Sequence, residues 1–237
     1  MNLVVSQPFY FPWVGMLEQL RLADCYVNYD DVQFSKGSFQ NRVQVKTAQG
    51  ARWMTIPLEG VRLGQPICEV RVASRQNWQR EHLALLARAY EAAPFRAEML
   101  ELVEQVLCGH DGTLGSVTHA SFVALARYFE LDRAKTFLEI RRMDIAGANT
   151  SRVRDIAQAV GADVYVTGHG ARHYLDHDDF ERRGIEVRYM DYRRAPYPQL
   201  HGAFTPFVSA LDLVANCGKA GAHVIRSTTK HWKEFLQ

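Results

Sequence analysis

The chain has 237 residues, of which 28 are basic and 26 acidic, and its formal net charge is +2. A balance this even excludes a purely electrostatic nucleic-acid binder. No apolar run approaches the roughly 18–20 residues needed to span a bilayer. The remaining class is an α/β protein with enough chain to bury a core, since 47% of it is hydrophobic. Cys25, Cys68, Cys108 and Cys217 are scattered with no CxxC pair, and MNLVVSQP lacks the basic n-region of a signal peptide. Reduced thiols and a cytoplasmic location are therefore expected.

Leu3 to Ser6 reads as a short buried strand, and Trp13 to Ala23 as a helix with Trp13, Met16, Leu17 and Leu20 on one face. Cys25 to Tyr29 is a second strand, which makes a strand–loop–helix–strand unit of the kind that builds parallel sheets. Between about 40 and 73 the segments RVQVK, RWMTIPL and ICEVRVA predict an inserted antiparallel meander. A helical segment over about 75–130 follows, as two helices broken at Pro94 and a third from Leu114 to Phe129. Lys135 to Arg141, GADVYVTG and GIEVRYMDY read as strands. Thr150 to Val160 reads as a helix that Asn149 or Thr150 could cap, and His173 to Arg183 as a short helical piece. Pro206 to Asn216 and Ala220 to Leu236 are expected to be two helices split at Cys217-Gly218. Together these predict one α/β domain over 1–237, with a parallel-sheet core, the meander and the helical insertion.

Four clusters carry polar chemistry. In open α/β sheets, ligands bind beyond the carboxyl ends of the strands. The loop after the first strand offers Gln7 for hydrogen bonding, Tyr10 and Trp13 as flat surfaces, and Gly15 for close approach of a ligand at a helix start. The alternative is a shaped turn whose aromatics fill core. In DDVQFSKGSFQNRVQVK, Asp30 and Asp31 follow a strand end, with Lys36, Asn41 and Arg42 close behind. Such a set suits a polar or phosphorylated substrate, or Mg²⁺ with a nucleotide, or equally an ordinary solvated turn.

The third cluster is TGHGARHYLDHDDF. His169, His173 and His177 recur every four residues, but Gly168 and Gly170 bracket the first, which argues against one helical metal face. The preferred reading is a strand-end loop whose backbone approaches an anion, with His169 as an acid–base residue or a structural one. The fourth holds Tyr197 and Gln199 in a Pro-rich loop, then Ser209, Asp212 and Asn216 leading into or along a helix. These could form a buried polar network or caps, and no nucleophile elbow surrounds Ser209.

The clusters together resemble the WbqC-like family almost end to end. The resemblance is carried by Gln7-Pro8, Tyr10, Pro12-Trp13, Gly15, Asp30, Gln33 and Asn41-Arg42. It continues through Gly168, Gly170, Tyr174-Leu175, Phe180, Tyr197, Gln199, Phe204, Pro206, Ser209, Asp212-Leu213, Asn216 and Gly218. Phe39 stands near the place of the family's usual Trp, and Thr167-Gly168 replaces its Ser-Gly. The resemblance implies a setting in surface-polysaccharide or small-metabolite assembly, without a settled reaction. The opening layout is also similar to nucleotide-binding (HUP-like) folds of the nucleotidyltransferase type, although the HxGH histidines are missing and Trp13 and Gly15 stand in their region.

The reaction expected from this set is acyl or aminoacyl transfer to an amine, using ATP with Mg²⁺ or a nucleotide-sugar. His169, Asp30 and Lys36 are its candidate catalytic groups. Asp31, Tyr174 and the remaining cluster residues are candidate ligand contacts. A small molecule (a nucleotide, a nucleotide-sugar or an amino acid), not nucleic acid, is the expected partner, with no membrane span, no tightly bound cofactor and no protein metal site. Two alternatives stand beside it: an O-antigen glycosyltransferase, whose DxD motif would have to be Asp176-His177-Asp178 in a helical stretch, and a non-catalytic scaffold subunit.

Overall fold

In the computed structural model, which describes residues 1–74 and 77–237, the chain runs β1 (Asn2–Ser6), α1 (Val14–Leu22), β2 (Cys25–Asn28), β3 (Arg42–Thr47) and β4 (Gly50–Thr55). It continues through β5 (Leu58–Glu59), β6 (Arg71–Val72), α2 (Trp78–Ala89), α3 (Arg96–Cys108), α4 (Leu114–Tyr128) and β7 (Thr136–Glu139). Then come α5 (Asn149–Ala159), β8 (Val164–Thr167), α6 (His177–Glu181), β9 (Glu186–Asp191), α7 (Leu211–Cys217), β10 (Thr228–His231) and α8 (Trp232–Phe235).

Six strands form the central sheet in the order β10-β9-β8-β1-β2-β7, all parallel except β10. Counting only the parallel strands along the chain, the order is 3-2-1-4-5, so the direction of winding reverses between β1 and β8. Strand side chains alternate between faces, and the packing follows that period. Leu3, Val5, Cys25 and Val27 join the core under α5 and α6, while Val4 and Tyr26 join the core under α1 and α4. Leu17 and Leu20 of α1 are fully buried, and burial of each such side chain contributes about 1.5–3 kcal/mol.

The expected meander is smaller than its sequence suggests. Only β3 and β4 form a long hairpin, and β5 and β6 are a separate two-residue pairing. Pro57 and Pro66 interrupt the run with positions that have no N–H to donate, and Ile67–Glu69 turns as a 3-10 helix. The break at Pro94 is where α2 and α3 separate.

The tail also departs from expectation. Residues 218–224 form a 3-10 helix, and β10 follows where a helix was expected. Glu18 Oε1 accepts from the Ser227 and Arg226 amides at 3.1 and 3.3 Å, and Arg21 donates to the Ser227 carbonyl at 2.6 Å. These bonds from α1 lead the chain into an edge strand, where Lys230 discourages further pairing. The helix expected from Pro206 starts only at Leu211, because the Ser209 amide is committed to the Gln44 carbonyl at 2.9 Å. No helix among the described residues is long and apolar enough to cross a membrane.

Candidate functional site

The point where a doubly wound sheet reverses leaves a crevice beyond the strand ends, because the connections on either side diverge to opposite faces. Here that crevice lies beyond β1 and β8. It holds a cavity of about 410 Å³ walled by Ser6 and Gln7, by Thr167, Gly168 and Gly170, and by Gln19 of α1. A second cavity, of about 550 Å³, shares Gln7, Tyr29, Val153 and Tyr174 with the first and extends past Asp31 to Asn149 and Arg152. The two form one cleft in the size range of small-molecule sites.

Each wall residue is held by something local. Gln40, itself 1% exposed, donates to Gln7 Oε1 at 2.7 Å and accepts from the Ser35 amide at 2.9 Å, so the loop after β2 fixes the Gln7 side chain. The Tyr29 amide donates to the Ser6 carbonyl at 2.9 Å, extending the β1–β2 ladder one residue to the cleft. Gln19 donates to the Val166 carbonyl at 3.1 Å across the reversal. Thr150 donates to the Tyr174 carbonyl at 2.9 Å and accepts from the Asp176 amide at 3.0 Å, so α5 positions the half-exposed Tyr174. A Cβ at Gly168 would sit 3.3 Å from the Tyr192 hydroxyl, so any larger residue there would press on that side chain.

The charged part of the cleft is Arg152. Its guanidinium grips the Asp31 carboxylate, its Nε donates to the Ile145 carbonyl at 2.9 Å, and its Cζ lies 5.1 Å from the Tyr29 ring centroid. Asp31 raises the Arg152 pKa further above its ordinary value through that hydrogen bonding. The pair stands at the start of α5, where Ala148 provides no side-chain cap. Neither Asn149, which has φ +52°, nor Thr150 caps the helix as expected. First-turn amides without a side-chain cap and a fixed cation favour an anion or a polar oxygen at this end of the cleft.

Of the residues singled out in the sequence, Gln7, Asp31, Gly168, Gly170 and Tyr174 meet in this cleft. His169 is adjacent but turned into the fold: its Nε2 donates to the Met190 carbonyl at 2.6 Å and its ring packs on Tyr192 and Phe235. Asp30 is 1% exposed and lies apart from Asp31, with Arg141 Nε 3.2 Å from its Oδ1; burial pushes its carboxyl pKa up. Lys36 is exposed on the following loop. Asn41 donates to the Ile56 carbonyl at 3.0 Å, and Arg42 stacks 4.2 Å over Trp53 and bonds the Gly37 carbonyl.

Tyr197, Gln199, Ser209, Asp212 and Asn216 line neither cavity of the cleft. Gln199 accepts from the buried Lys46 ammonium at 3.1 Å, and Tyr90 donates to Asp212 at 3.0 Å. Asn216 donates to the Asp212 carbonyl at 2.8 Å, and Ser209 donates to the Phe11 carbonyl at 2.7 Å. Tyr10 and Trp13 line a separate apolar chamber next to the cleft. Gly15 has a different reason from the one expected: a Cβ would lie 2.2 Å from the Trp13 ring, so it makes room for that indole rather than for a ligand.

The donor set does not fit a protein-held Mg²⁺. Asp30 and Asp31 are each engaged by an arginine, and no cluster of three metal-ligating side chains occurs among the described residues. The three histidines do not share a helix: His169 and His173 lie in a 3-10 turn, while His177 begins α6 and bonds the Tyr189 hydroxyl at 2.8 Å. Asp176 of the DxD stretch caps α6 by accepting from the Asp179 amide at 3.1 Å.

Tyr29, Arg152, Gln19 and Tyr192 were not singled out in the sequence. Tyr29 and Tyr192 directly follow strands, so the strand-end rule points to both. Arg152 and Gln19 lie inside helices, and only the packing of α5 and α1 around the reversal brings them to the cleft.

The sequence model of the WbqC-like protein family matches residues 7–224, and the chain belongs to that family. It is 30% identical over 228 residues to the uncharacterized protein Rv1507c of Mycobacterium tuberculosis, an alignment that covers 95% of this chain and 97% of that one. No solved structure matches the chain.

Proposed function

We propose that this WbqC-like protein is a biosynthetic enzyme that binds a nucleotide or nucleotide-sugar in the cleft at the sheet reversal and joins an acyl or aminoacyl group to an amine. The observation that carries the reading is the place of the cleft. It opens where the 3-2-1-4-5 sheet reverses, the position at which such sheets take nucleotides, which also supports a HUP-like core. Tyr29 and Tyr174 offer flat surfaces to a base, and Gln7 offers an amide to its edge or to a sugar hydroxyl. Arg152 and the first turn of α5 favour phosphate oxygens or the developing negative charge of an acyl transfer.

In that reaction the amine nitrogen attacks the activated acyl carbon, the acyl C–O bond breaks with its electron pair leaving on the phosphate, and the proton of the nitrogen passes to His169 Nδ1 or to solvent. His169 enters this scheme only through Nδ1, since Nε2 is committed to Met190. With Asp30 and Asp31 held by arginines, any Mg²⁺ is expected to arrive on the phosphates of ATP. Family membership supports a role in surface-polysaccharide or small-metabolite assembly.

A scaffold reading has one observation in its favour: Phe39, Trp53 and Phe207 are 47%, 42% and 47% exposed. Transfer of a sugar through Asp176-His177-Asp178 has none in the cleft. Incubation with ATP·Mg²⁺, mixed amino acids and an amino-sugar nucleotide, followed by mass spectrometry for an amide product, tests the enzyme reading. Product that disappears with Arg152→Ala supports it; absence of product with intact ligand binding favours the scaffold.

A further inference from the structure

Phe9 lines the cleft and also a second chamber, of about 250 Å³. Tyr10, Pro12 and Trp13 of the opening loop and Val43 of β3 form its walls, and the half-exposed Phe39 and Phe207 complete it. Among the described residues no charged or amide side chain lines it, and the Tyr10 hydroxyl is 3.0 Å from His82 Nδ1. Such a lining offers no partner to the charge of a phosphate or to the hydroxyls of a sugar, and burying those groups unpaired is strongly disfavoured.

The chamber is built rather than left over. Phe11, between the lining residues Tyr10 and Pro12, has φ +37°, a conformation that non-glycine residues keep only when their surroundings impose it. Here they do: its amide donates to Ser121 Oγ at 2.9 Å and its carbonyl accepts from Ser209 Oγ at 2.7 Å. Both serines are fully buried. Pro12 is fixed next, its carbonyl accepting from the Ala210 amide at 2.8 Å. Gly15 then leaves the room into which the Trp13 indole folds, against Tyr192 and Phe207. A loop that only filled core would have closed this space.

We infer that the chamber receives the apolar tail of the acyl substrate, an aromatic ring or a chain of about four to six carbons, with its carboxyl end at Phe9 and directed to the cleft. An apolar cavity of about 150 Å³ is known to hold benzene, so about 250 Å³ takes a ring with a short linker. The inference rests on the acyl-transfer reading for its polar end, and on the chamber alone for its apolar one.

The test uses the full chain labelled with 5-fluorotryptophan, whose four tryptophans are assigned by single Trp→Phe variants. Phenylacetate and hexanoate should move the Trp13 fluorine resonance while acetate at the same concentration does not. Phe207→Ala and Phe39→Ala, both at exposed rims, should each weaken that binding by roughly fivefold and leave the thermal shift from ATP·Mg²⁺ unchanged. No response of Trp13 to either acid, in protein that still binds nucleotide, overturns the inference and leaves the cleft reading intact. Acid binding without any nucleotide effect does the reverse. A response equal for acetate, or one confined to Trp53 or Trp232, overturns it. So does a Trp13 shift that depends on protein concentration and ignores the acids, which would assign the chamber to a second copy of the chain.

Discussion

The Arg152 guanidinium holds the Asp31 carboxylate in a two-point fork, Nη1 to Oδ1 at 3.0 Å and Nη2 to Oδ2 at 2.5 Å. The pair joins the end of β2 to the start of α5 across the cleft, so it couples the fold to the site. Arg152→Ala should cost about 1–3 kcal/mol, because Asp31 is left partly buried without its partner. Arg152→Lys keeps the charge and loses the fork, so it should recover stability better than ligand affinity. Urea unfolding beside nucleotide titration of the two variants separates these effects; equal recovery of both would show that charge alone matters.

His82 predicts an acid sensitivity. It is 6% exposed, and burial lowers its pKa to about 4. Its Nε2 donates to the Thr55 carbonyl at 3.1 Å, which leaves Nδ1 to accept from the Tyr10 hydroxyl. A proton on Nδ1 would require that hydroxyl to turn away. Since the folded value lies below the unfolded one near 6.5, the unfolded chain binds the proton first. The contribution is present above pH 6.5 and is lost as pH falls toward 4, on the order of 3 kcal/mol in all. Melting temperature should fall over that window, and His82→Gln should flatten the fall. An unchanged slope in the variant would assign the effect to other groups.

Asp212 predicts the opposite separation from Arg152. It is fully buried, with Tyr90 donating to it at 3.0 Å, and burial raises its carboxyl pKa. Asp212→Ala should destabilise by roughly 2–4 kcal/mol, since it strips partners from a buried polar network. Nucleotide affinity at saturating native fraction should be unchanged. A loss of affinity in fully folded protein would place Asp212 in the binding machinery after all.

Gly15→Ala should reshape the chamber without unfolding the chain. The added methyl would overlap the Trp13 ring, so the indole must leave its place between Tyr192 and Phe207. Overpacking costs about 1–3 kcal/mol, partly offset by the better helix propensity of alanine, about 1 kcal/mol. Near-UV circular dichroism should report the displaced indole. An unaltered spectrum would show that the indole keeps its place beside the added methyl and that Gly15 is not required for it.

How much of this was legible in the sequence depends on the range of the interactions involved. The strands around Val4, Val27 and Val166 and the helices around Leu17 and Ile156 follow from local periodicity, which a chain displays directly. β10 did not, because Thr228, Thr229 and Lys230 form a polar edge with no buried alternation, and their pairing with β9 is set by Glu18 and Arg21 some two hundred residues away. The site divided in the same way. Gln7, Asp31 and Gly168 sit at strand ends and could be named from the sequence. Arg152 could not, since only the docking of α5 brings it to Asp31. Ser209 and Asp212 were visible as a polar pair on or near a helix, but their burial against Phe11 and Tyr90 is a property of the folded chain.

The most direct test of the central reading is a thermal-shift titration of purified protein with ATP and with nucleotide-sugars, each with and without Mg²⁺, on the native chain and on Gln7→Ala, Tyr174→Ala, Arg152→Ala and His169→Ala. A ligand at about a hundred times its dissociation constant adds about 2.7 kcal/mol, a shift of several degrees. Nucleotide should stabilise the native chain, and Gln7→Ala, Tyr174→Ala and Arg152→Ala should reduce that stabilisation while His169→Ala preserves it. No stabilisation by any nucleotide, or stabilisation that the three cleft variants leave untouched, would contradict the central reading.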